Sequence, residues 1–405
     1  MRKTTLTSID VGTTKVCTVI ADVSESGDLR IAGVGITPCS GLHKGLVVNI
    51  EDARESIRES VKKAEQASGY KVESAYIGVT GRHVVSQNNR GVVAITRNDR
   101  LVRPDDLNRV LQCARSIKVP TDRKVLHIIP RDYAVDGQLG VKNPVGMYGF
   151  RLDVETHIIT AAVTSIQNLV KCIRGIGIEI EDLVLEPLAS SEAVLTEDEK
   201  QVGVILGDIG GGTTDIAVFR EGSIWHTSII PVAGYQLTRD VAIGLGLPFD
   251  VAEEMKKKYG SVMPVYEGKV ETASSISQDG HGISHQDLCE IVRARVEEII
   301  RLIMLELPRS DYETLVPAGL VLTGGSSNLA GMEVLGREIL RLPVRIGSPI
   351  NMYGITDVLR DPAYATSVGL LLWGAKGRGE HSSWRRHGFG SAFRQLFSQL
   401  ARIFR

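Results

Sequence analysis

Apolar and polar positions along the chain follow two periods, and one arrangement of them occurs twice. Thr4 to Asp10 reads as a strand that ends on a carboxylate, Val11-Gly12-Thr13-Thr14-Lys15 turns the chain, and Val16 to Val23 brings it back. Further on, the apolar run Val202 to Leu206 leads to Asp208, the turn Gly210-Gly211-Gly212-Thr213-Thr214 follows, and Ile216 to Phe219 returns. Two Asp-x-Gly…Thr-Thr hairpins predict two related lobes, each presenting its tip to a shared cleft. After the first hairpin the pattern predicts a strand from Leu29 to Thr37. A helix is then predicted from Ile50 to Ser68, with apolar Ile50, Ala53, Ile57, Val61 and Ala64, capped by Asn49 and ended by Gly69. Ala75 to Gly81 reads as a strand.

The texture changes between about Val84 and Val163. Short strands (Val92 to Thr96, Val125 to Tyr133, Thr156 to Val163) surround one helix, Pro104 to Ile117, whose Asp105 and Asp106 favour its N-terminal dipole. Gly137 to Phe150 reads as an exposed loop, and the block as an inserted α+β subdomain. Ile166 to Gly175 is an amphipathic helix. Pro187 suits a first helical turn, so Glu186 stands at a helix start. Helices are expected over Gly234 to Leu245, Pro248 to Tyr259 and His285 to Leu307, and a hairpin or loop over 267–284. The strand Ala318 to Thr323 precedes Gly324-Gly325-Ser326 and a helix from Met332 to Leu340. Val344 to Gly347 and Tyr364 to Trp373 close the globular part.

Glycines let backbone amides converge without a Cβ, a concavity that suits phosphate, and an adjacent Asp suits Mg²⁺ held through water. Strand, Gly-Gly-Ser and helix start is a place to wrap a nucleoside. Other nucleotide signatures are missing: Gly268-Lys269 is followed by Val270, so there is no Walker A loop, and no glycine trio has dinucleotide spacing after a strand. The formal net charge of −1 gives no reason to expect nucleic acid as a partner. Five scattered cysteines without a Cys-x-x-Cys pair read as small buried hydrophobes rather than a zinc or disulfide framework. His281, His285 and Asp287 read as a solvated loop rather than a metal site. With no signal peptide and no spanning apolar run, the expectation is a cytoplasmic protein.

The two hairpins and the Gly-Gly-Ser turn, in this order, resemble the α/β ATPase core shared by actin, Hsp70 chaperones and sugar kinases. Gly78-Val-Thr-Gly81, Glu186-Pro-Leu-Ala-Ser-Ser191, Ala252-Glu-Glu-Met-Lys-Lys-Lys-Tyr-Gly260 and the block at 84–163 resemble the bacterial cell-division FtsA family over nearly the whole chain. That resemblance implies an actin-like two-lobed fold: subdomain 1A at 1–83 and 164–195, a relocated small subdomain 1C at 84–163, 2A at 196–240 and 315–373, and 2B at 241–314. It also implies ATP and Mg²⁺, self-association into an actin-like protofilament, and tethering of the tubulin-like FtsZ ring to the membrane among other division proteins. Carried onto this chain, Gly12, Thr13, Thr14 and Lys15 would grip the β- and γ-phosphates from one lobe, and Gly210, Gly211, Gly212, Thr213 and Thr214 from the other. Asp10 and Asp208 would arrange hydrated Mg²⁺. Glu253 and Lys257 would approach the ribose or adenine, and Gly324, Gly325 and Ser326 would pack on the adenosine. Glu186 matches the position that aligns an attacking water in related folds, with a carboxylate simply favouring a helix N-terminus as the alternative. Lys15 has the alternative of a turn lysine.

The tail adds an independent argument. Gly374 to Ser383 has linker composition, and the linker is expected to run to 390. On a helix, Phe389, Phe393, Leu396, Phe397, Leu400, Ile403 and Phe404 fall within an arc of about 120°. Arg394, Ser398, Arg402 and Arg405 lie opposite, and Trp384 opens a stretch with five arginines and no acidic residue. An amphipathic helix over 391–405 would therefore lie on an anionic membrane surface and is too short to span it; the family resemblance implies that this surface is the cytoplasmic face of the inner membrane at the division septum. A small-molecule kinase would need an acceptor base beyond Glu186, and a pilus-assembly relative of the actin-like type would not need this tail. The family resemblance implies a partner surface on about 241–314.

Overall fold

A computed structural model of the chain describes residues 4–24, 28–263, 276–278, 281–307, 315–350 and 352–379. The proposed membrane helix and its arginines, residues 384–405, lie outside the described residues.

The first lobe is built on β1 (Thr4–Val11), β2 (Lys15–Val23), β3 (Leu29–Pro38), a small ribbon β4 (Leu42–His43) and β5 (Leu46–Val47), α1 (Ile50–Ser68) and β6 (Ser74–Val79). α1 begins where expected because the Asn49 side chain accepts from the amides of Glu51 and Asp52. It stops at Gly69, whose φ of 75° only glycine adopts readily. The insertion comprises β7 (Val84–Ala94), α2 (Pro104–Arg115), β8 (Arg123–Val135), β9 (Gln138–Val141) and β10 (Arg151–Ala162). It forms its own sheet in the order β7-β10-β8-β9 over a separate core that includes Val110, Leu152 and Val154. β9 lies inside the stretch read as a loop. It pairs with β8, and that edge ladder replaces solvation of the backbone.

The chain re-enters the first lobe through α3 (Val163–Arg174), β11 (Glu179–Leu185) and α4 (Glu186–Val194), then α5 (Glu197–Val202) leads to the second lobe. There β12 (Val204–Ile209), β13 (Thr214–Arg220) and β14 (Ser223–Ile230) form a meander. α6 (Gly234–Leu245), α7 (Phe249–Tyr259), β15 (Ile276–Gln278), β16 (His281–Ile283) and α8 (His285–Leu305) follow. β17 (Leu320–Thr323), a 3₁₀ turn (Gly325–Asn328), α9 (Met332–Leu340), β18 (Val344–Ile346), β19 (Met352–Gly354) and α10 (Ala365–Gly379) complete the described chain. Of the three residues read as a solvated loop, His281 begins β16 and Asp287 lies in α8, the expected helix that opens at His285. The Nε2 of His285 faces the Tyr259 carbonyl at 3.0 Å.

The two lobes repeat one topology. Three antiparallel strands, β3-β2-β1, continue into parallel β6 and β11, and β14-β13-β12 continue into parallel β17 and β18. The tips correspond as well: the Gly12 amide donates to the Lys15 carbonyl at 3.0 Å, and Gly210 donates to Thr213 at 2.9 Å. Parallel strands buried on both faces explain the apolar runs, with Val204, Ile205, Leu206, Val321 and Leu322 fully buried.

Two expectations change. Val202 ends α5 instead of starting a strand, because Thr196 and Glu199 form a capping box that holds a six-residue helix. The expected linker from Gly374 is helical through Gly379. Tertiary contacts override its composition: Trp373 Nε1 donates to Asp182 at 3.3 Å, Lys376 pairs with Glu192, and a Cβ on Gly374 would stand 2.6 Å from the Tyr76 ring.

Candidate functional site

The repeated hairpins place their carboxylates at matching strand ends. Asp10 sits opposite Cys17, and Asp208 opposite Asp215. Asp10, Asp208, Asp215 and Glu186 are all buried, and they cluster between the lobes closely enough for their charges to oppose one another. Asp10 is raised to about 6, first by burial and further by Asp208, against the pull of Lys15 and a hydrogen bond from Ser367. Asp215 is raised to about 7 by burial and then by Asp208. Burial raises Asp208 as well, and Glu186 is lifted well above the usual carboxylate range by burial followed by Asp10, Asp215 and Asp208.

Two helices support this cluster from behind. Ser190 on α4 donates to Asp208 Oδ2 at 2.5 Å, and Thr366 on α10 donates to the same oxygen at 3.2 Å. The neighbouring Ser367 donates to Asp10 Oδ2 at 2.9 Å. Adjacent hydroxyls on one helix thus hold one aspartate from each lobe. Asp215 accepts from Thr80 and, at 2.9 Å, from Thr213. α4 and α10 come closest at Gly369, where a Cβ would stand 1.8 Å from the Ala189 carbonyl oxygen.

In front of the carboxylates the tips meet. A Cβ on Gly211 would stand 2.4 Å from Thr14 Cγ2, and one on Gly212 would stand 2.5 Å from Thr13 Oγ1. The Thr214 hydroxyl is spent on the Val232 carbonyl at 2.7 Å, and the Thr13 hydroxyl accepts from the Gly45 amide at 3.3 Å. Among the described residues the amides of Thr13, Thr14, Gly211 and Gly212 have no hydrogen-bond partner. The Lys15 ammonium lies over the Tyr364 ring, 4.1 Å from its centroid.

The Gly-Gly-Ser turn joins the same site. Ser326 Oγ donates to the Gly210 carbonyl at 3.0 Å. Gly324 has φ of 85°, and a Cβ there would stand 2.4 Å from Asp208 Oδ1, so glycine is required twice over. Gly325 opens the 3₁₀ turn beside it. Gly78, on β6, leaves room for Glu186, since a Cβ would come within 3.2 Å of its carboxyl group.

Glu253 and Lys257 stand at the margin. Glu253 is bonded to Lys256 at 2.6 Å, to Lys257 at 3.0 Å, and to Thr238. Lys257 is largely exposed, whereas Lys256 is buried and also reaches Thr238 at 2.8 Å and the Gly234 carbonyl at 3.3 Å. Gly234 donates in turn to the Gly210 carbonyl at 3.1 Å, which links α7 to the second tip. Sequence reasoning missed Lys256, and it gave no role to Asp215, Thr80, Ser190, Thr366 or Ser367. Asp215 had a visible signal as a second carboxylate on the hairpin that already carried Asp208. Ser190 and Thr366-Ser367 had one too, as hydroxyls inside otherwise apolar helices.

These residues fit an anionic ligand with a hydrated cation. Four unpaired amides lie on the two adjoining tips, and buried carboxylates whose pKa values are raised are the groups a divalent cation would relieve. Among the described residues no group of three or more His, Cys, Asp or Glu side chains is arranged to hold a metal directly, so an ion would be reached through its water shell. Cys17, Cys172 and Cys289 are buried and Cys113 is exposed; all five cysteines are free.

The fold and sequence both match known proteins. Residues 205–369 match the family described as cell division protein FtsA, and residues 81–160 match the SHS2 domain inserted in FtsA. Cell division protein FtsA of Pseudomonas aeruginosa is 46% identical over 372 residues, spanning 91% of this chain and 89% of that protein. The Bacillus subtilis protein is 37% identical, spanning 91% and 83%. Among solved structures, the PilM–PilN type IV pilus biogenesis complex aligns with a TM-score of 0.66 at 16% identity, covering 91% of this chain and 98% of that one. MreB5 of Spiroplasma citri bound to ADP aligns with a TM-score of 0.54 at 15% identity, covering 95% and 99%. With close relatives matched along nine-tenths of its length and an actin-like fold carrying the inserted subdomain, the chain belongs to the FtsA family of bacterial cell-division proteins.

Proposed function

We propose that the chain binds ATP with Mg²⁺ between its lobes, self-associates through its actin-like body, and tethers the FtsZ ring to the cytoplasmic face of the inner membrane through its C-terminal helix. The observation that carries the nucleotide reading is the pair of tips with unpaired amides at Thr13, Thr14, Gly211 and Gly212, backed by the buried Asp10, Asp208 and Asp215. The amides would receive the phosphates, and Lys15 would leave the Tyr364 face to neutralise them. Gly324, Gly325 and Ser326 would line the nucleoside side, with Glu253 and Lys257 at the ribose or adenine. Magnesium, when bound, supplies positive charge that neutralises the phosphates. Glu186, lifted well above the usual carboxylate range by burial, would align the attacking water. Turnover would be slow at most, and ATP would act as a switch for assembly.

The membrane reading rests on the apolar and basic faces of 384–405. Co-sedimentation with anionic vesicles tests both halves, comparing the full chain with one ending at Gly379, with and without Mg-ATP and FtsZ. The full chain is expected to pellet and to bring FtsZ with it, more so with Mg-ATP, while the shortened chain stays in the supernatant. Equal pelleting of the two chains would refute the anchor. Pelleting indifferent to nucleotide, with no binding of a fluorescent ATP analogue, would refute the nucleotide reading.

A further inference from the structure

Where the inserted sheet meets the second lobe, hydrogen bonds fasten the junction, and the exception is a pair of buried side-chain nitrogens without partners. Ser86 Oγ donates to the Thr227 carbonyl at 2.8 Å, His157 Nε2 pairs with Thr227 Oγ1 at 2.9 Å, and Ser223 Oγ donates to the Arg131 carbonyl at 2.8 Å. Beside these contacts lies a cavity of about 290 Å³, lined by Asn88, Arg131 and Glu155 from the insertion and by Arg220, Trp225 and His226 from the β13–β14 hairpin. Pockets at subdomain junctions are common ligand sites, and this volume is at the lower end of their usual range of ~300–1,000 Å³.

The exception faces this cavity. The Arg131 side chain is only 5% exposed, and its Nε is buried without a hydrogen-bond partner. The buried Nε2 of His226 has no partner either. Burial holds the His226 ring below its usual pKa, so it is neutral at pH 7 and can offer either tautomer. Both guanidiniums lie against the Trp225 ring, Arg131 at 4.3 Å and Arg220 at 5.2 Å from its centroid. Their carboxylate partners sit at the rim. Glu155 pairs with Arg131 at 3.0 Å and Glu221 with Arg220 at 3.3 Å, and the two acids are 47% and 58% exposed. Water and salt screen those acids, while the desolvated Arg131 projects its charge inward. Val218, Leu315 and Val316 make the remaining wall apolar.

We infer that this cavity binds a small amphipathic anion, with a carboxylate or phosphate-ester head on Arg131, Arg220 and His226 and an apolar body against Trp225 and Val316. The occupant would contact both the insertion and the second lobe, and so stiffen the junction between them. Among the described residues, none that lines the nucleotide cleft lines this cavity, so the inference stands apart from the nucleotide reading.

The test uses the full chain labelled with 5-fluorotryptophan, whose ¹⁹F spectrum resolves Trp225, Trp373 and Trp384, with Trp225→Phe for assignment. Hexanoate and hexyl phosphate are titrated beside hexanol and inorganic phosphate. A saturable shift of Trp225 alone is expected with at least one of the two amphipathic anions, at least tenfold tighter than with hexanol or phosphate. The preferred anion identifies the head group. Arg131→Leu and Arg220→Leu should each weaken binding at least tenfold. The Trp373 signal reports whether a variant is folded, and the part-exposed Arg220 provides the decisive variant if Arg131→Leu does not fold. Any of four results overturns the inference: no saturable Trp225 shift, a shift confined to Trp384, hexanol or inorganic phosphate binding as tightly as the anions, or wild-type affinity in folded Arg220→Leu.

Discussion

Gly369→Ala tests whether the helices behind the carboxylates form a rigid support. The added Cβ would stand 1.8 Å from the Ala189 oxygen, 2.3 Å from its carbonyl carbon and 3.1 Å from the Ser190 amide nitrogen. All three are backbone atoms, so no side chain can swing aside. Restoring a contact of ~3.5 Å requires α4 and α10 to part by about 1.5 Å. Overpacking of this kind costs about 1–3 kcal/mol, and the upper end applies because only rigid helices can yield. The better helix propensity of alanine returns at most ~1 kcal/mol. A separation of that size would also break the 2.9 Å contact between Ser190 Oγ and Thr366 Oγ1 and strain both hydroxyls on Asp208. The expected result is a thermal midpoint lowered by roughly 2–10 °C, read by circular dichroism. Affinity for a fluorescent ATP analogue should fall as well, although residue 369 touches no ligand. An unchanged midpoint would show that the helices separate freely, and an unchanged affinity in a destabilised variant would show that the carboxylates need no support from behind.

Two further outcomes follow from the charges. Folding raises Asp215 from 3.8 to about 7 and Asp10 from 3.8 to about 6. The folded chain therefore holds protons that the unfolded chain releases, and the associated stability is complete below about pH 3.8 and lost as pH rises through 6 and 7. In EDTA, Asp215→Asn should flatten the fall of the unfolding midpoint between about pH 4 and 7 relative to wild type; parallel curves would refute the assignment. Lys256→Met removes the buried partner of Glu253 and should cost about 1–3 kcal/mol, since the glutamate keeps some access to water. Lys257→Ala, at an exposed position, should cost less than ~1 kcal/mol. Equal losses in thermal midpoint would contradict the burial difference. If Lys257 also meets the nucleotide, its removal weakens ATP binding without lowering the midpoint.

Elements with a local cause were legible in the sequence. α1 carries both of its stops in Asn49 and Gly69, and the hairpin tips carry theirs in glycine. α5 was hidden because six residues are too few to show a helical period, and its capping box alone marks it. The end of α10 was misread for a different reason. Gly374, Gly377 and Gly379 look like a linker, yet Gly374 is small because the Tyr76 ring lies against it. At the site, residues on the hairpins were visible because the motif is continuous. Ser190, Thr366 and Ser367 stand out only as hydroxyls in apolar helices, and what they hold is set by contacts up to 357 positions away along the chain.

The meeting of the two tips has a genetic consequence. Each lobe forms part of the other's steric ceiling, so positions 14 and 211 cannot drift independently. Alanine at 211 collides with a methyl group that Thr14→Ser would remove, making the serine a natural suppressor of the alanine. Gly212 has no such remedy, because the Lys44 backbone lies 2.9 Å from its missing Cβ in addition to Thr13. One glycine of the turn is therefore negotiable through a partner in the opposite lobe, and its neighbour is fixed by the main chain.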